Sequence, residues 1–240
     1  MKNKRTEKYP EFERHLFVLG EDTLPYRLMR PLQAEAQKSY PLVLFLHGAG
    51  ERGTENEIPL THIAPLFTSS EARQKYPCFV LVPQCPKNRR WVEVDWGAER
   101  HDFPQEASWS MKLTLALLDS LKKELSVDKH RCYVTGLSMG GYGTWDILAR
   151  QPDTFAAAAP ICGGADEKTA PLIKHIPIWN FHGALDAVVK PSRSRNMIQA
   201  LQAAGGQVRY TEYPDVQHGS WKPAYAEPEF LHWLFTQKKK

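Results

Sequence analysis

The sequence predicts an α/β fold, with a mostly parallel sheet of eight strands and helices on both faces. Three observations carry this. Short apolar runs alternate with segments of helical period along the chain. Several runs are apolar at nearly every position, as in strands buried on both faces. Strands separated by helices need right-handed crossovers, which lay the helices over a parallel sheet. The 240 residues are 42% hydrophobic and 24% charged, a globular balance that argues against disorder. One domain over residues 1–240 is expected, with its core at about 14–235, because α/β domains often reach this length as a unit.

Arg14–Leu19 and Tyr26–Arg30 read as strands joined by a turn at Gly20–Pro25. No helix lies between them, so that edge of the sheet is expected to be antiparallel. Pro41–His47 (PLVLFLH) is a doubly buried strand, and Cys78–Val82 is another. Pro83–Ala107 shows no regular pattern; loops that long are functional or disordered, and Trp91, Trp96 and Phe103 argue against disorder. Trp109–Leu125 has helical period, with Met111, Leu115, Leu118 and Leu121 near one stripe. His130–Gly136 is a strand, followed by a glycine-rich turn and a helix to about Ala149. Phe155–Ile161 and Ile176–Phe181 are strands, Ser192–Ala204 a helix, Gln207–Tyr213 the last strand and Glu227–Phe235 the last helix.

The net charge of +4 is mild and scattered. Only Arg89-Arg90 and the tail Lys238-Lys239-Lys240 cluster, so no nucleic-acid partner is expected. No apolar stretch is long enough to span a bilayer, and no membrane partner is expected. The charged start, Met1 to Tyr9, has no apolar core of a signal peptide, which points to the cytoplasm, or to a secreted or periplasmic protein whose leader has been trimmed. Cys78, Cys85, Cys132 and Cys162 match no zinc or redox spacing and read as buried free thiols.

The segment Tyr133-Val134-Thr135-Gly136-Leu137-Ser138-Met139-Gly140-Gly141 is a strand, then G-x-S-x-G, then a helix. A strand that turns sharply into a helix holds its serine at strained dihedrals, and the positions two before and two after leave no room for side chains. Ser138 is therefore the candidate nucleophile. A serine needs a base, and His218 lies on a loop beyond the last strand, at the edge where such sites form. His182, at a strand end before Gly183, reads as shaping a turn; His47, His175 and His232 read as structural. Asp186 follows the preceding strand and can orient a histidine on the neighbouring loop; Asp166 is the alternative. Met139 N–H and Ala49 N–H are the candidate oxyanion donors, with Gly50 as alternative, since small residues in His47-Gly48-Ala49-Gly50-Glu51-Arg52-Gly53 let a carbonyl approach. Glu51 and Arg52 are expected to brace that loop. Trp221, Trp96, Trp91 and Gly50 are the candidate substrate-binding residues. No metal spacing and no dinucleotide fingerprint occurs, so no metal or cofactor is expected.

These motifs resemble the α/β-hydrolase superfamily, and within it the compact bacterial esterases related to the dienelactone-hydrolase, phospholipase/carboxylesterase and feruloyl-esterase groups. HGAGERG at His47–Gly53, PQCP at Pro83–Pro86, GLSMGG at Gly136–Gly141, PICGG at Pro160–Gly164, FHGALD at Phe181–Asp186 and Trp221 carry the likeness, which spans roughly residues 14–235. The resemblance implies a three-layer α/β-hydrolase fold and a serine carboxylic-ester hydrolase. The connection between the strands ending at Ile161 and starting at Ile176 is too short for a large lid, which suits small or soluble esters, with aryl, feruloyl and acetyl-carbohydrate esters as candidates. A peptidase or thioesterase on the same triad, and a non-catalytic binding protein of the same fold, are the alternatives.

Overall fold

A computed structural model describes residues 7–239. The first six residues and Lys240, which belong to the charged start and the basic tail, lie outside them. Eight strands form one sheet among the described residues: β1 (Phe12–Leu19), β2 (Asp22–Met29), β3 (Tyr40–Leu46), β4 (Phe79–Pro83), β5 (Val127–Leu137), β6 (Ala157–Ile161), β7 (Ile178–Gly183) and β8 (Val208–Tyr213). Their spatial order is β1-β2-β4-β3-β5-β6-β7-β8. β1 and β2 pair antiparallel, β2 meets β4 antiparallel, and every other pairing is parallel. Among the described residues the eight α-helical segments are α1 (Ala64–Phe67), α2 (Ser70–Lys75), α3 (Trp109–Glu124), α4 (Met139–Arg150), α5 (Ala170–Ile173), α6 (Ser192–Ala203), α7 (Trp221–Ala226) and α8 (Phe230–Thr236).

β3 shows why the sheet sits between two helical layers. Leu42, Leu44 and Leu46 point into one core with residues of α3, α4, α5 and α6. Val43 and Phe45 point into the other with residues of α1, α7 and α8. A period of two with both faces apolar lets a strand bury everything it carries. α3 begins where Ser108 Oγ accepts the Met111 N–H (3.1 Å), relieving one orphan donor of the first turn.

Four local departures from the sequence expectation have physical causes. The β1–β2 turn is only Gly20-Glu21, because Gly20 adopts φ +61 and Leu19 pairs with Asp22. Pro25 therefore lies inside β2 opposite Leu16; its missing N–H faces the side where β4 ends. β5 begins at Val127 rather than His130, since Val127 pairs with Tyr40 ahead of a register shift. The last helix, α8, starts at Phe230 rather than Glu227, and the short α7 before it was not anticipated. Glu227 precedes Pro228 and is driven to ψ 123, which stops α7 before α8 begins. The short α1 and α2, one of them carrying an early proline, were not anticipated.

Residues 84–108 contain no regular element, yet many contacts hold them. Ser108 Oγ donates to Arg90 O and Trp91 O. Arg150 Nη2 reaches Pro104 O (2.8 Å), and Tyr142 Oη reaches Trp96 O (3.1 Å). This segment forms a wall at the C-terminal end of the sheet.

Candidate active site

Ser138 links β5 to α4 at φ 53, ψ −116. A non-glycine residue there is strained and needs surroundings that leave no alternative. Those surroundings are backbone. A Cβ on Gly136 would sit 2.4 Å from Gly140 O, and one on Gly140 would sit 1.8 Å from Leu46 O. Both ends of the turn are therefore glycine for want of space. Ser138 N–H donates to Ile161 O (2.9 Å), which ties the turn to β6.

The loops after β7 and β8 are sewn together. Ala184 N–H donates to Tyr213 O (2.9 Å) and Leu185 N–H to Val216 O (3.0 Å). A histidine on one loop thus lies beside a carboxylate on the other. Ser138 Oγ is 2.9 Å from His218 Nε2, and His218 Nδ1 is 2.7 Å from Asp186 Oδ2. A carboxylate oxygen only accepts, so Nδ1 carries the proton and Nε2 is left to accept from the serine hydroxyl. Asp186 Oδ1 accepts from Val188 N–H (2.8 Å) and Val189 N–H (2.9 Å). Burial by itself would raise the Asp186 pKa; hydrogen bonds from His182, His218 and the Val189 amide outweigh it and hold the carboxyl well below the usual range.

Met139 is the first residue of α4, where an amide has no intrahelical acceptor. Ala49 likewise opens a 3-10 turn, Ala49–Glu51, just beyond β3. Gly140 packs on Leu46 O, so these two chain segments are neighbours. Arg52 Nε donates to Ala49 O (2.9 Å), and a Glu51–His62 contact (3.5 Å) braces the same turn. Burial opposes ionisation of Glu51, but the hydrogen bond from the His62 ring outweighs it and holds its pKa down. Gly50 is exposed at the tip of the turn.

The tryptophans separate. Trp221 stands edge-on to the His218 ring, with centroids 5.4 Å apart and planes at 86°, and the His62 ring lies 5.6 Å from it. Trp96 is half-buried in the wall, its face covered by the Arg90 guanidinium at 4.5 Å. Trp91 does not bind substrate. It is fully buried in the core, and its Nε1–H donates to His47 O (2.9 Å). An indole satisfied on its only donor and packed on all sides has no face left for a ligand. His47 is also internal: its Nε2 accepts the Cys85 N–H (2.9 Å) and its Nδ1–H faces Gly48 O (2.7 Å). Burial depresses its pKa to about 4. Asp166 is away from the histidine; its carboxylate takes the Phe103 and Lys168 amides (2.9 and 3.0 Å).

Two groups at the site escaped the sequence. The Cys162 thiol is buried beside Asp186 and His218 at the strained φ of 41. Cys162, Asp186 and His218 place their donor atoms within 4.8 Å of one another. A metal ion among them would have to part Asp186 from His218, and burial pushes the Cys162 thiol up to about 12. His182 is the other; its four-residue spacing from Asp186 was the available signal. Among the described residues no helix is long and apolar enough to cross a membrane.

The sheet order and the strained serine turn between β5 and α4 make this an α/β-hydrolase. More narrowly, the chain belongs to the dienelactone hydrolase family. That family's model matches residues 100–228, which include Ser138, Asp186 and His218. A solved thermostable esterase is 39% identical, with a TM-score of 0.88 over 96% of this chain and 64% of its own. An uncharacterized secreted protein of Arthroderma benhamiae is 25% identical over 270 residues, covering 93% of this chain and 26% of that protein. A protein of Oryza sativa subsp. japonica named "Probable carboxylesterase" is 26% identical over 203 residues, 78% of this chain and 75% of its own. The chain thus spans about a quarter of the fungal relative and just under two thirds of the esterase.

Proposed function

We propose that the chain is a serine carboxylic-ester hydrolase working through an acyl-enzyme. The observation that carries this is the unbroken chain from Ser138 Oγ through His218 to Asp186, at 2.9 and 2.7 Å, on a serine at positive φ. Ser138 Oγ attacks the ester carbonyl carbon while His218 Nε2 takes its proton. Asp186 holds the imidazole in the tautomer that can do so and stabilises the imidazolium. Met139 and Ala49 N–H receive the developing oxyanion. His218 then protonates the leaving alcohol. In the second half it deprotonates a water that attacks the acyl carbon, releasing the acid and restoring Ser138.

The β6–β7 connection holds only a 3-10 turn and the four-residue α5, and Ser138 and His218 are partly exposed. That openness supports small or soluble esters. Trp221 beside His218 and Trp96 in the wall are the proposed contacts for an aryl, feruloyl or sugar group. The names of the solved esterase and the rice relative agree with the reaction type.

The test is hydrolysis of p-nitrophenyl acetate, butyrate and octanoate beside methyl ferulate, with Ser138→Ala as control. We expect turnover on short esters and loss of at least ~1000-fold in the variant. The acetate-to-ferulate ratio chooses between acetyl and aryl esters. No Ser138-dependent turnover on any of them would overturn the proposal and bring peptides and thioesters forward.

A further inference from the structure

His182 lies at the end of β7 and is fully buried, four residues before Asp186. Its Nε2 faces two oxygens: Val189 O at 2.9 Å and Asp186 Oδ2 at 3.2 Å. Neither oxygen can donate, so Nε2 must carry a proton. Its Nδ1 meets Ser194 Oγ on α6 at 2.7 Å, a hydroxyl that can donate to it. Oδ2 of Asp186 is therefore shared by two imidazoles, His182 from one side and His218 from the other. With the Val188 and Val189 amides on Oδ1 and His218 Nδ1 on Oδ2, the carboxylate takes three hydrogen bonds, and the His182 N–H, bonded to Val189 O, lies against its remaining lone pair at 3.2 Å.

We propose that His182 is a positioning residue that locks the Asp186 carboxylate, with Ser194 fixing the tautomer in which His182 can do so. The proposal rests on the Ser138–His218–Asp186 reading above. A carboxylate held by three hydrogen bonds and flanked by the His182 N–H has little freedom to rotate about χ2, so the direction of its bond to His218 Nδ1 is fixed, and with it the aim of Nε2 at Ser138. The second donor on Oδ2 also withdraws charge that would otherwise bind the His218 proton. Other charges near His182 are internally matched. Glu212, its register partner on β8, is held by Arg195 (2.6 Å). Arg193, beside Ser194 on α6, is committed to Ala98 O and Ala165 O (3.1 and 2.8 Å). Cys162, after β6, is an uncharged buried thiol.

Two measurements test this on the whole chain. The first needs no variant: long-range ¹⁵N–¹H correlation of histidine-labelled protein reports which ring nitrogen of His182 is protonated. A protonated Nε2 is expected, and a bare Nε2 would overturn the proposal. The second compares His182→Gln, which keeps an N–H near the Nε2 position, with His182→Leu, which has none, on p-nitrophenyl acetate. In His182→Leu, kcat should fall about tenfold at unchanged KM, and the acid limb of kcat/KM should move up by about half a pH unit. His182→Gln should recover most of both. Equal losses in the two variants, or a fall in kcat with an unmoved acid limb, would reduce His182 to a packing residue. If His182→Leu does not fold, the labelled spectrum decides. Ser138→Ala separates the two layers: activity in that variant refutes the triad, whereas an inactive Ser138→Ala with an unmoved His182→Leu profile refutes only the role of His182.

Discussion

The serine turn and the wall reach the same end of the sheet by opposite means. Residues 136–141 are held by sterics within a few positions: Gly136 against Gly140 O, Gly140 against Leu46 O. Residues 84–108 have no regular structure and are held by side chains from far along the chain, including Tyr142, Arg150, Asp166 and Arg193. One region is rigid because its backbone has no room. The other is rigid because distant polar groups cap its carbonyls and amides. A single substitution should therefore break the first outright and loosen the second by degrees.

Gly140→Ala tests the steric half and should have the largest effect. Its Cβ would lie 1.8 Å from a backbone oxygen of β3, and the obstacle cannot rotate away. We expect a loss of about 4 kcal/mol or more in chemical denaturation, and activity down at least ~100-fold in whatever folds, because the serine is displaced. A variant with near-native stability and turnover would mean that the turn is not sterically set.

This difference explains what the sequence could reveal. Gly136, Ser138 and Gly140 are legible because their cause is local and any strand-to-helix turn of this sharpness needs it. His218 and Asp186 are legible because chain order and strand ends place them on adjacent loops. β3 and β4 are legible from continuous apolar runs. Trp91 was misread as a substrate contact because composition says that a tryptophan is present but not which way it faces; its partner, His47 O, lies 44 positions away. The start of α8 at Phe230 rather than Glu227 had a local signal in Pro228. The 3.2 Å approach of His182 to Asp186 had only a spacing, which fits a turn equally well.

His47 joins the two regions, so acid should reveal how strongly they are coupled. Its Nε2 accepts from Cys85 and its carbonyl from Trp91, both on the wall side. Burial lowers its pKa from 6.5 to about 4. Between those values the unfolded chain binds a proton that the folded one does not, so stability rises with pH; it is fully present above about 6.5 and is lost as pH falls toward 4. The loss should be about 3 kcal/mol. Partly exposed His101, depressed to about 4 by burial and by Arg193, adds in the same direction. Urea titrations at half-unit steps from pH 4 to 7 measure the slope. His47→Gln should be less stable throughout with a shallower slope; an unchanged slope would assign the acid sensitivity elsewhere.

Arg193→Met probes the wall through its buried cation. The guanidinium is fully buried, and its acceptors are Ala98 O, Ala165 O and His101 Nδ1. Losing it leaves those acceptors unpaired, at a cost of about 2 kcal/mol. Because the serine turn is untouched, kcat on p-nitrophenyl acetate should change less than ~3-fold, while KM for a bulky aryl ester that needs the wall rises. A collapse of kcat on the small ester would show that wall and turn are one mechanical unit.

The smallest effect belongs to the ion pairs that cross from the wall to the loops beyond β6 and β7. Lys168–Asp102 (2.8 Å) and Lys190–Glu99 (3.0 Å) link the two segments like clasps. Their side chains, however, are 80% and 87% exposed in the first pair and 50% and 83% in the second. Water solvates each charge as well as its partner does, ordering two long side chains costs entropy, and salt screens the remainder. Lys168→Met and Glu99→Gln should therefore leave Tm unmoved, and wild-type kcat/KM should hold steady as salt is raised. A fall in Tm of more than ~2 °C in either variant would mean that the wall is closed at its surface as well as pinned from within, and Arg193 would then share its role with the clasps.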